Sequence, residues 1–450
     1  MKTFLDWSAY DTYGIGDAYS GIPATGGNYA KAVAVCMHSR DCQKSGKGVM
    51  CPSYRITGDR KHSTEARVAA FKAALNDAAD GNAFTDPRLD EAMDLCVSCK
   101  ACKKECPSAV DMTLIKTEYL AQRQQIAGVP LRARLFSGVP EWAGRWRRLL
   151  RLAIRLRNGC APLAKFADAW LGVSARRPLP ELASQAFRGE PLEKTEGARG
   201  PVILFVDTFC RHFDPEIAEA AQTVLGRAGY AVRIAKPAPS DAEPGRALCC
   251  GRTYLTAGRV DKARHEAKRV IDAFRDDIAA KTPIVGLEPS CLLSLRDELY
   301  CLGFGVEAGE LGKRLYLLEE FLAREHQNNG LRLNLEPLDL PKALVHGHCH
   351  QKAFGVMKAM RKVLGWIPGF SFEVVETSCC GMAGSFGLES EHYDASMQMA
   401  ELSLLPALRA SARDTPVIAN GFSCRHQIAH GAKREARHIA LLLRDAMATE

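Results

Sequence analysis

The sequence predicts an α+β multidomain protein, with an all-helical N-terminal domain carrying two cysteine motifs followed by two duplicated α/β domains. Three observations lead there. Apolar residues recur at helical spacing up to about residue 125, and after Gly200 short β-branched runs alternate with helical segments. The cysteines of the second half occur twice in the same order, which is simplest to read as an internal duplication.

Composition narrows the function. The chain has 450 residues, 47% of them hydrophobic and 25% charged, an ordinary globular balance with room for roughly two to four domains. The net charge of +8 is spread among acids rather than gathered with aromatics, which argues against nucleic acid as a partner. No run of about 18 uncharged apolar residues occurs, and MKTFLDWSAYDTYGIG lacks the apolar core of a signal peptide, so a cytoplasmic protein is expected. Seventeen cysteines are then anomalous, because a reducing compartment rarely uses so many for disulfides. They point to metal.

The elements follow in order. After an extension over 1–34, residues 35–125 read as helical: His62-Ser63-Thr64-Glu65 offers a cap, Val68, Phe71, Leu75 and Ala78 share one face, and Gly81-Asn82 is the stop. A second short helix starts at Pro87 and ends near Leu95. Residues 126–198 are Arg-rich, with prolines at 130, 140, 162, 178, 180 and 191, and read as short helices followed by a linker. Beyond it PVILFVDTF, AVRIAKP, TPIVGLEPS, KALVHGH, FSFEVVETS and TPVIANGFS read as strands, separated by helices such as EIAEAAQTVLGRAG and SEHYDASMQMAELSLLPALRA. The two repeats are expected over 199–335 and 336–450.

Cys96-x2-Cys99-x2-Cys102-x3-Cys106-Pro107 has the spacing of a 4Fe-4S site, in which three thiolates reach one cubane and the fourth, before proline, turns away to a second cluster. Zinc usually takes two CxxC pairs set well apart. By the same exchange Cys51, before Pro52, completes the cluster of Cys96, Cys99 and Cys102, and Cys106 joins Cys36 and Cys42. Seven thiols then serve eight corners. A 3Fe-4S cluster, a non-cysteine ligand such as His38 or Asp41, and an absent second cluster all remain open, with His38 read first as a solvated loop residue. The helical interval between Cys51 and Cys96 resembles the helical ferredoxin domain of succinate dehydrogenase and related respiratory iron-sulfur subunits.

In the second half, Cys210, Cys249-Cys250-Gly251 and Cys291 are matched by Cys349, Cys379-Cys380-Gly381 and Cys424. Vicinal thiols reach one centre only through a tight turn, which the following glycine permits. Cys210, Cys291, Cys349, Cys379 and Cys424 directly follow predicted strands, and the carboxyl edge of a parallel sheet is where ligands bind. Eight cysteines could thus converge on one or two further metal sites. Neither Cys291 nor Cys424 sits in a CxxC, and thiols without metal remain an alternative. His346, His348, His350 and His426 flank these cysteines and read as site-wall residues rather than ligands; Cys160 and Cys301 read as structural. GMAGSFG lacks the spacing of a dinucleotide fingerprint and reads as a close turn.

The doubled Cys…Cys-Cys-Gly…Cys pattern resembles the CCG domains of heterodisulfide reductase and of the iron-sulfur subunits of glycolate oxidase and anaerobic glycerol-3-phosphate dehydrogenase. GVMCPSYRITGDRKHSTEAR, LCVSCKACKKECPSAVDM, LGVSARRPLP and the CCG repeats together resemble the iron-sulfur half of large FAD-linked oxidases of the D-2-hydroxyglutarate and D-lactate dehydrogenase type. That resemblance implies an electron-transfer subunit, inactive alone, beside a FAD-containing dehydrogenase subunit that oxidises a D-2-hydroxy acid, with quinone or another acceptor downstream and FAD only on the partner. The alternative is a thiol-disulfide oxidoreductase working at the CCG sites, as in heterodisulfide reductase.

EWAGRWRRLLRLAIRLRNG, residues 141 to 159, reads as one amphipathic helix. Trp142, Trp146, Leu149, Ala153 and Leu156 form a stripe opposite Arg148, Arg151 and Arg155. Packing of the stripe against the ferredoxin domain or a partner is the first expectation. Contact with an anionic membrane surface, at most peripheral and on its inner face, is the second.

Overall fold

A computed structural model describes residues 2–13, 21–44, 46, 48–78, 83–191 and 199–448. The Gly81-Asn82 stop lies outside the described residues. The N-terminal part is helical, as its period requires. Helix Thr64–Asp77 is capped by Ser63, whose hydroxyl accepts from the Ala66 N–H at 3.2 Å. It buries Val68, Phe71 and Leu75, and Phe71 meets Tyr29 and Tyr119 edge-on. Helix Pro87–Asp94 begins with proline behind an Asp86 cap. On helix Met112–Ala127, the buried Glu118 carboxylate accepts from the N–H groups of Phe4 at 2.9 Å and Leu5 at 2.8 Å and from Trp7 Nε1 at 3.3 Å. One acid thereby ties the start of the chain to the helical core.

Two parallel sheets follow. β1 (Gly200–Phe205), β2 (Tyr230–Ile234), β3 (Ile284–Gly286) and β4 (Leu315–Leu317) form the first, in the order β2-β1-β3-β4. β5 (Ala343–Val345), β6 (Phe372–Val374) and β7 (Val417–Ile418) form the second, in the order β6-β5-β7. β5 thus holds the place of β1, β6 that of β2 and β7 that of β3. All six expected strands are present. β4 is additional, hidden in the sequence because Leu315–Leu317 runs straight into helix Leu318–Asn328. The expected helix over 390 to 410 is two, Tyr393–Glu401 and Leu404–Ala410.

Alternation along β1 explains how the parts pack. Ile203 and Phe205 join the core that also holds Val68, Phe71 and Leu75, whereas Val202 and Leu204 join the core that reaches Val345, Leu364 and Leu442 of the second sheet's unit. With both faces covered, the strand is apolar throughout, as parallel sheets require.

The Arg-rich region forms helices Leu131–Ser137, Val139–Arg145, Arg147–Gly159 and Ala161–Leu171. The single helix expected over 141 to 159 is therefore broken at Trp146. Its stripe is not packed on the ferredoxin domain either: Trp142, Trp146, Leu149, Ala153 and Leu156 are exposed, and Arg157 is the one buried side chain of helix Arg147–Gly159. Arg157 explains the orientation, since its guanidinium bonds the carbonyls of Arg177 at 2.7 Å and of Ser174 and pulls the polar side inward. Leu163, Phe166 and the 76% exposed Trp170 extend the apolar surface. Among the described residues no helix is long and apolar enough to cross a membrane.

Candidate metal centres

All seventeen cysteines are free thiols. Cys51, Cys96, Cys99 and Cys102 line one cavity with Pro52, Ser53, Thr64, Arg67, Met112 and Thr113. These are the four thiols that the exchange pattern assigns to one cubane. Local folding aims them inward. Cys51 (φ 49°), Ser98 (φ 50°) and Lys100 (φ 64°) are left-handed, curling the chain around the cavity. The Thr64 N–H, at the start of its helix, donates to Cys51 Sγ at 3.2 Å, and a helix N-terminus favours a thiolate.

Charge is arranged to the same end. Arg67, only 2% exposed, donates to the Ala92 carbonyl at 2.8 Å and the Ser53 hydroxyl at 2.9 Å. Lys116 donates to the carbonyls of Met93 at 3.1 Å and Cys96 at 2.5 Å. Burial pushes the Cys96 thiol up, but Arg67 and Lys116 outweigh it and hold the group below its ordinary range. Cys102 is pushed up to about 12 by burial and Asp111, and Cys99 is raised by burial and by Cys349. A four-thiol cavity lined by the buried Arg67, with the half-buried Lys116 beside Cys96, fits an anionic iron-sulfur cluster.

Cys36, Cys42 and Cys106 form a second group. Burial raises the Cys36 thiol, and Cys106 and Cys42 raise it further. Cys42 lies beside Cys51, whose thiol lowers its pKa to about 6, so the two groups adjoin. The side chains named as substitutes for the missing eighth thiol are engaged elsewhere: His38 Nδ1 lies 3.1 Å from Glu65, and Asp41 pairs with Lys44.

Eight further cysteines gather at the carboxyl edges of the two sheets. Cys210 lies in helix Thr208–His212 after β1, Cys291 in helix Pro289–Asp297 after β3, Cys349 opens helix Cys349–Ala353 after β5, and Cys424 lies in helix Phe422–Ala432 after β7. Cys249-Cys250 and Cys379-Cys380 turn back toward them. At Gly251 (φ 77°) and Gly381 (φ 86°) the chain is left-handed, and a Cβ on Gly381 would collide with the Ser396 carbonyl, so glycine alone fits. The Gly251 and Gly381 N–H groups each donate to the preceding Cys249 or Cys379 sulfur at 3.4 Å.

In the first unit Cys250 lies beside Cys249 and Cys291; Cys210 sits beside Asp207, its thiol raised by burial and by that carboxylate. In the second, Cys349, Cys379, Cys380 and Cys424 lie beside one another, with His346 next to Cys380 and Cys424. Lys352, half-buried near them, donates to the Thr377 hydroxyl at 2.6 Å and the Ser378 carbonyl at 3.1 Å. Cys160 and Cys301 are half-buried and join no group.

The centres adjoin one another. Cys99 feels Cys349, and the Arg252 guanidinium reaches Glu298 at 2.6 Å and the Ser98 carbonyl at 3.5 Å while facing both Cys250 and Cys349. The buried cations were missed in the sequence, although Arg252 directly follows a CCG turn. Beside Cys96 opens a cavity of about 660 Å³ whose lining includes Phe136, Phe209, Phe386, Phe422 and His392.

Comparison with known proteins agrees with this arrangement. Residues 32–110 match the 4Fe-4S dicluster domain, and residues 208–296 match the cysteine-rich domain. One of the subunits of anaerobic glycerol-3-phosphate dehydrogenase from Escherichia coli (strain K12) is 27% identical over 291 residues, 64% of this chain and 70% of the relative. The glycolate oxidase iron-sulfur subunit of the same organism is 25% identical over 437 residues, covering 92% of this chain and 94% of the relative. Its D-2-hydroxyglutarate dehydrogenase is 24% identical over 441 residues, 86% of this chain but only 41% of the relative. No solved structure matches the chain. With a 4Fe-4S dicluster domain and a cysteine-rich domain on one polypeptide, the chain is an iron-sulfur electron-transfer protein similar to these dehydrogenase and oxidase components.

Proposed function

We propose that the chain is an iron-sulfur subunit that accepts electrons from a separate FAD-linked oxidase acting on a D-2-hydroxy acid of the D-lactate, glycolate or D-2-hydroxyglutarate class. It passes them to a downstream acceptor such as quinone. The observation that carries this reading is the meeting of the Cys51-Cys96-Cys99-Cys102 cavity with the thiols of both α/β units around Ser98 and Arg252. Buried redox sites in contact form a route for single electrons, whereas a lone hydrolytic or structural metal needs no second site. The relatives named above are dehydrogenase and oxidase components, which favours electron transfer over disulfide reduction.

In this reading Cys51, Cys96, Cys99 and Cys102 hold one cluster and Cys36, Cys42 and Cys106 the second. Cys210, Cys249, Cys250 and Cys291, and Cys349, Cys379, Cys380 and Cys424, hold further centres in a duplicated pair of CCG domains. The shared strand order, with β1 and β5 each flanked by two parallel partners, supports duplication. The ferredoxin domain is placed at 35–125, the helical linker at 126–198 and the CCG domains at 199–335 and 336–450. Bound clusters would supply one-electron redox chemistry. The chain's own residues hold the sites dry, balance their charge with Arg67, Lys116 and Lys352, and leave the apolar cavity beside Cys96 as a place for a small acceptor.

The test uses anaerobically purified protein. Iron and acid-labile sulfide should be present, and the visible absorbance should bleach only when the FAD-linked partner and its hydroxy acid are both added. Cys99→Ser should remove one cluster's iron while leaving the far-ultraviolet dichroism unchanged. Zinc without iron would refute the reading.

A further inference from the structure

The two α/β units carry different side chains at the same position. Three residues before Cys210, after β1, stands Asp207; three residues before Cys349, after β5, stands His346. Asp207 caps its helix, accepting from the N–H groups of Phe209 at 2.9 Å and Cys210 at 3.1 Å. His346 has no such duty, because His348 takes it over and accepts from the His350 N–H at 3.1 Å.

His346 is therefore free to turn inward. Its ring is 1% exposed. Nδ1 lies 3.0 Å from the Thr377 hydroxyl, which Lys352 fixes in turn through a 2.6 Å bond. Nε2 is buried with no hydrogen-bond partner. The ligand atoms of His346, Cys380 and Cys424 all lie within 4.8 Å of one another, close to the spacing that one shared metal sets between its ligands. An imidazole that gives one ring N–H to an oxygen and turns the other nitrogen toward two sulfurs has the arrangement of a metal-ligating histidine with its orienting partner.

We propose that His346 Nε2 is a ligand, beside Cys380 and Cys424, of the iron-sulfur centre in the second α/β unit, so that the two units hold chemically different centres. This rests on the reading that the second unit's thiols bind iron. A neutral nitrogen in place of a thiolate leaves the centre less negative and raises its potential, the effect seen when histidine replaces cysteine on one iron of a cluster. Electrons would then come to rest in the second unit rather than in the first. Thr377 is the positioning residue, holding Nδ1 protonated so that Nε2 offers its lone pair.

Pulsed electron paramagnetic resonance on the reduced whole protein tests this. A strong nitrogen coupling is expected that shifts when histidine is isotopically labelled, disappears in His346→Cys with iron retained, and persists in His348→Asn. The potential of that centre should fall in His346→Cys. The labelling arm needs no variant, so misfolding of His346→Cys would not shield the proposal. Iron that is lost in Cys380→Ser, with no histidine coupling in the wild type, overturns the inference alone. Iron content indifferent to Cys380→Ser, or zinc at the site, overturns the metal reading of the second unit and the inference with it.

Discussion

Replacing Arg67 with Met should lower the reduction potential of the cluster in the Cys51-Cys96-Cys99-Cys102 cavity. Arg67 lines that cavity and acts on both Cys51 and Cys96, and among the described residues no carboxylate lies within ion-pair distance of it. Reduction adds one negative charge, which a buried cation stabilises. A unit charge roughly 6 Å from the cluster, at an effective dielectric of about 20, is worth ~3 kcal/mol. For a one-electron couple that corresponds to a drop on the order of 100 mV. Arg67 also bonds the Ala92 carbonyl and the Ser53 hydroxyl, and leaving such groups buried and unpaired costs about 1–3 kcal/mol of stability each. Arg67→Lys separates the two effects, because it keeps the charge and loses the fork. Redox titration of the visible absorbance should place Lys near the wild type and Met well below it, with both variants less stable to heat. Equal potentials in wild type and Arg67→Met, at full iron content, would refute the electrostatic role.

Three further outcomes follow from the same geometry. With His38 and Asp41 engaged elsewhere, the Cys36-Cys42-Cys106 site should hold a three-iron cluster, giving a paramagnetic signal in the oxidised protein that Cys42→Ser removes; an oxidised sample silent at full iron content would refute it. Burial works against a charged His392, but Asp94 and Glu389, each 2.8 Å away, prevail and hold its pKa at about 9. The stabilisation, about 3 kcal/mol at most, is fully present below the ordinary histidine pKa near 6.5 and fades as pH rises through 9, so the melting temperatures of wild type and His392→Gln should converge above that pH. The exposed stripe of Trp142, Trp146, Leu149 and Leu156 beside Arg148, Arg151 and Arg155 should float the protein with anionic liposomes at low salt. Each arginine contributes about 1 kcal/mol, so salt or the triple change to Glu should release it, and no flotation at any salt would count against a membrane role.

What the sequence made legible was whatever depends on spacing. The Cys96 to Cys106 run, the Cys-Pro at 51 and the two CCG turns imply their geometry because a thiol two residues from another has few places to go, and a cysteine just after a parallel strand must lie at the carboxyl edge. The balancing charges were not legible. Arg67, Lys116 and Lys352 sit in helices, where a lone cation reads as a solvated position, and only tertiary packing buries Arg67 and half-buries Lys116 and Lys352. Nor could HGHCH announce which histidine caps a helix and which faces sulfur, since the two differ only in where the backbone leaves β5. The cations carry a thermodynamic consequence. Among the described residues Arg67, Lys116 and Lys352 form no salt bridge, and an unpaired charge withdrawn from water, fully at Arg67 and in part at the two lysines, is costly. Their counter-charge is the set of thiolates, which burial otherwise keeps protonated at Cys99 and Cys102, and the neighbouring sulfurs together with burial at Cys379 and Cys424. Cluster binding removes those protons and completes the pairing, so assembly of the metal centres and stability of the fold are linked: the cations favour the centres, and the centres relieve the cations.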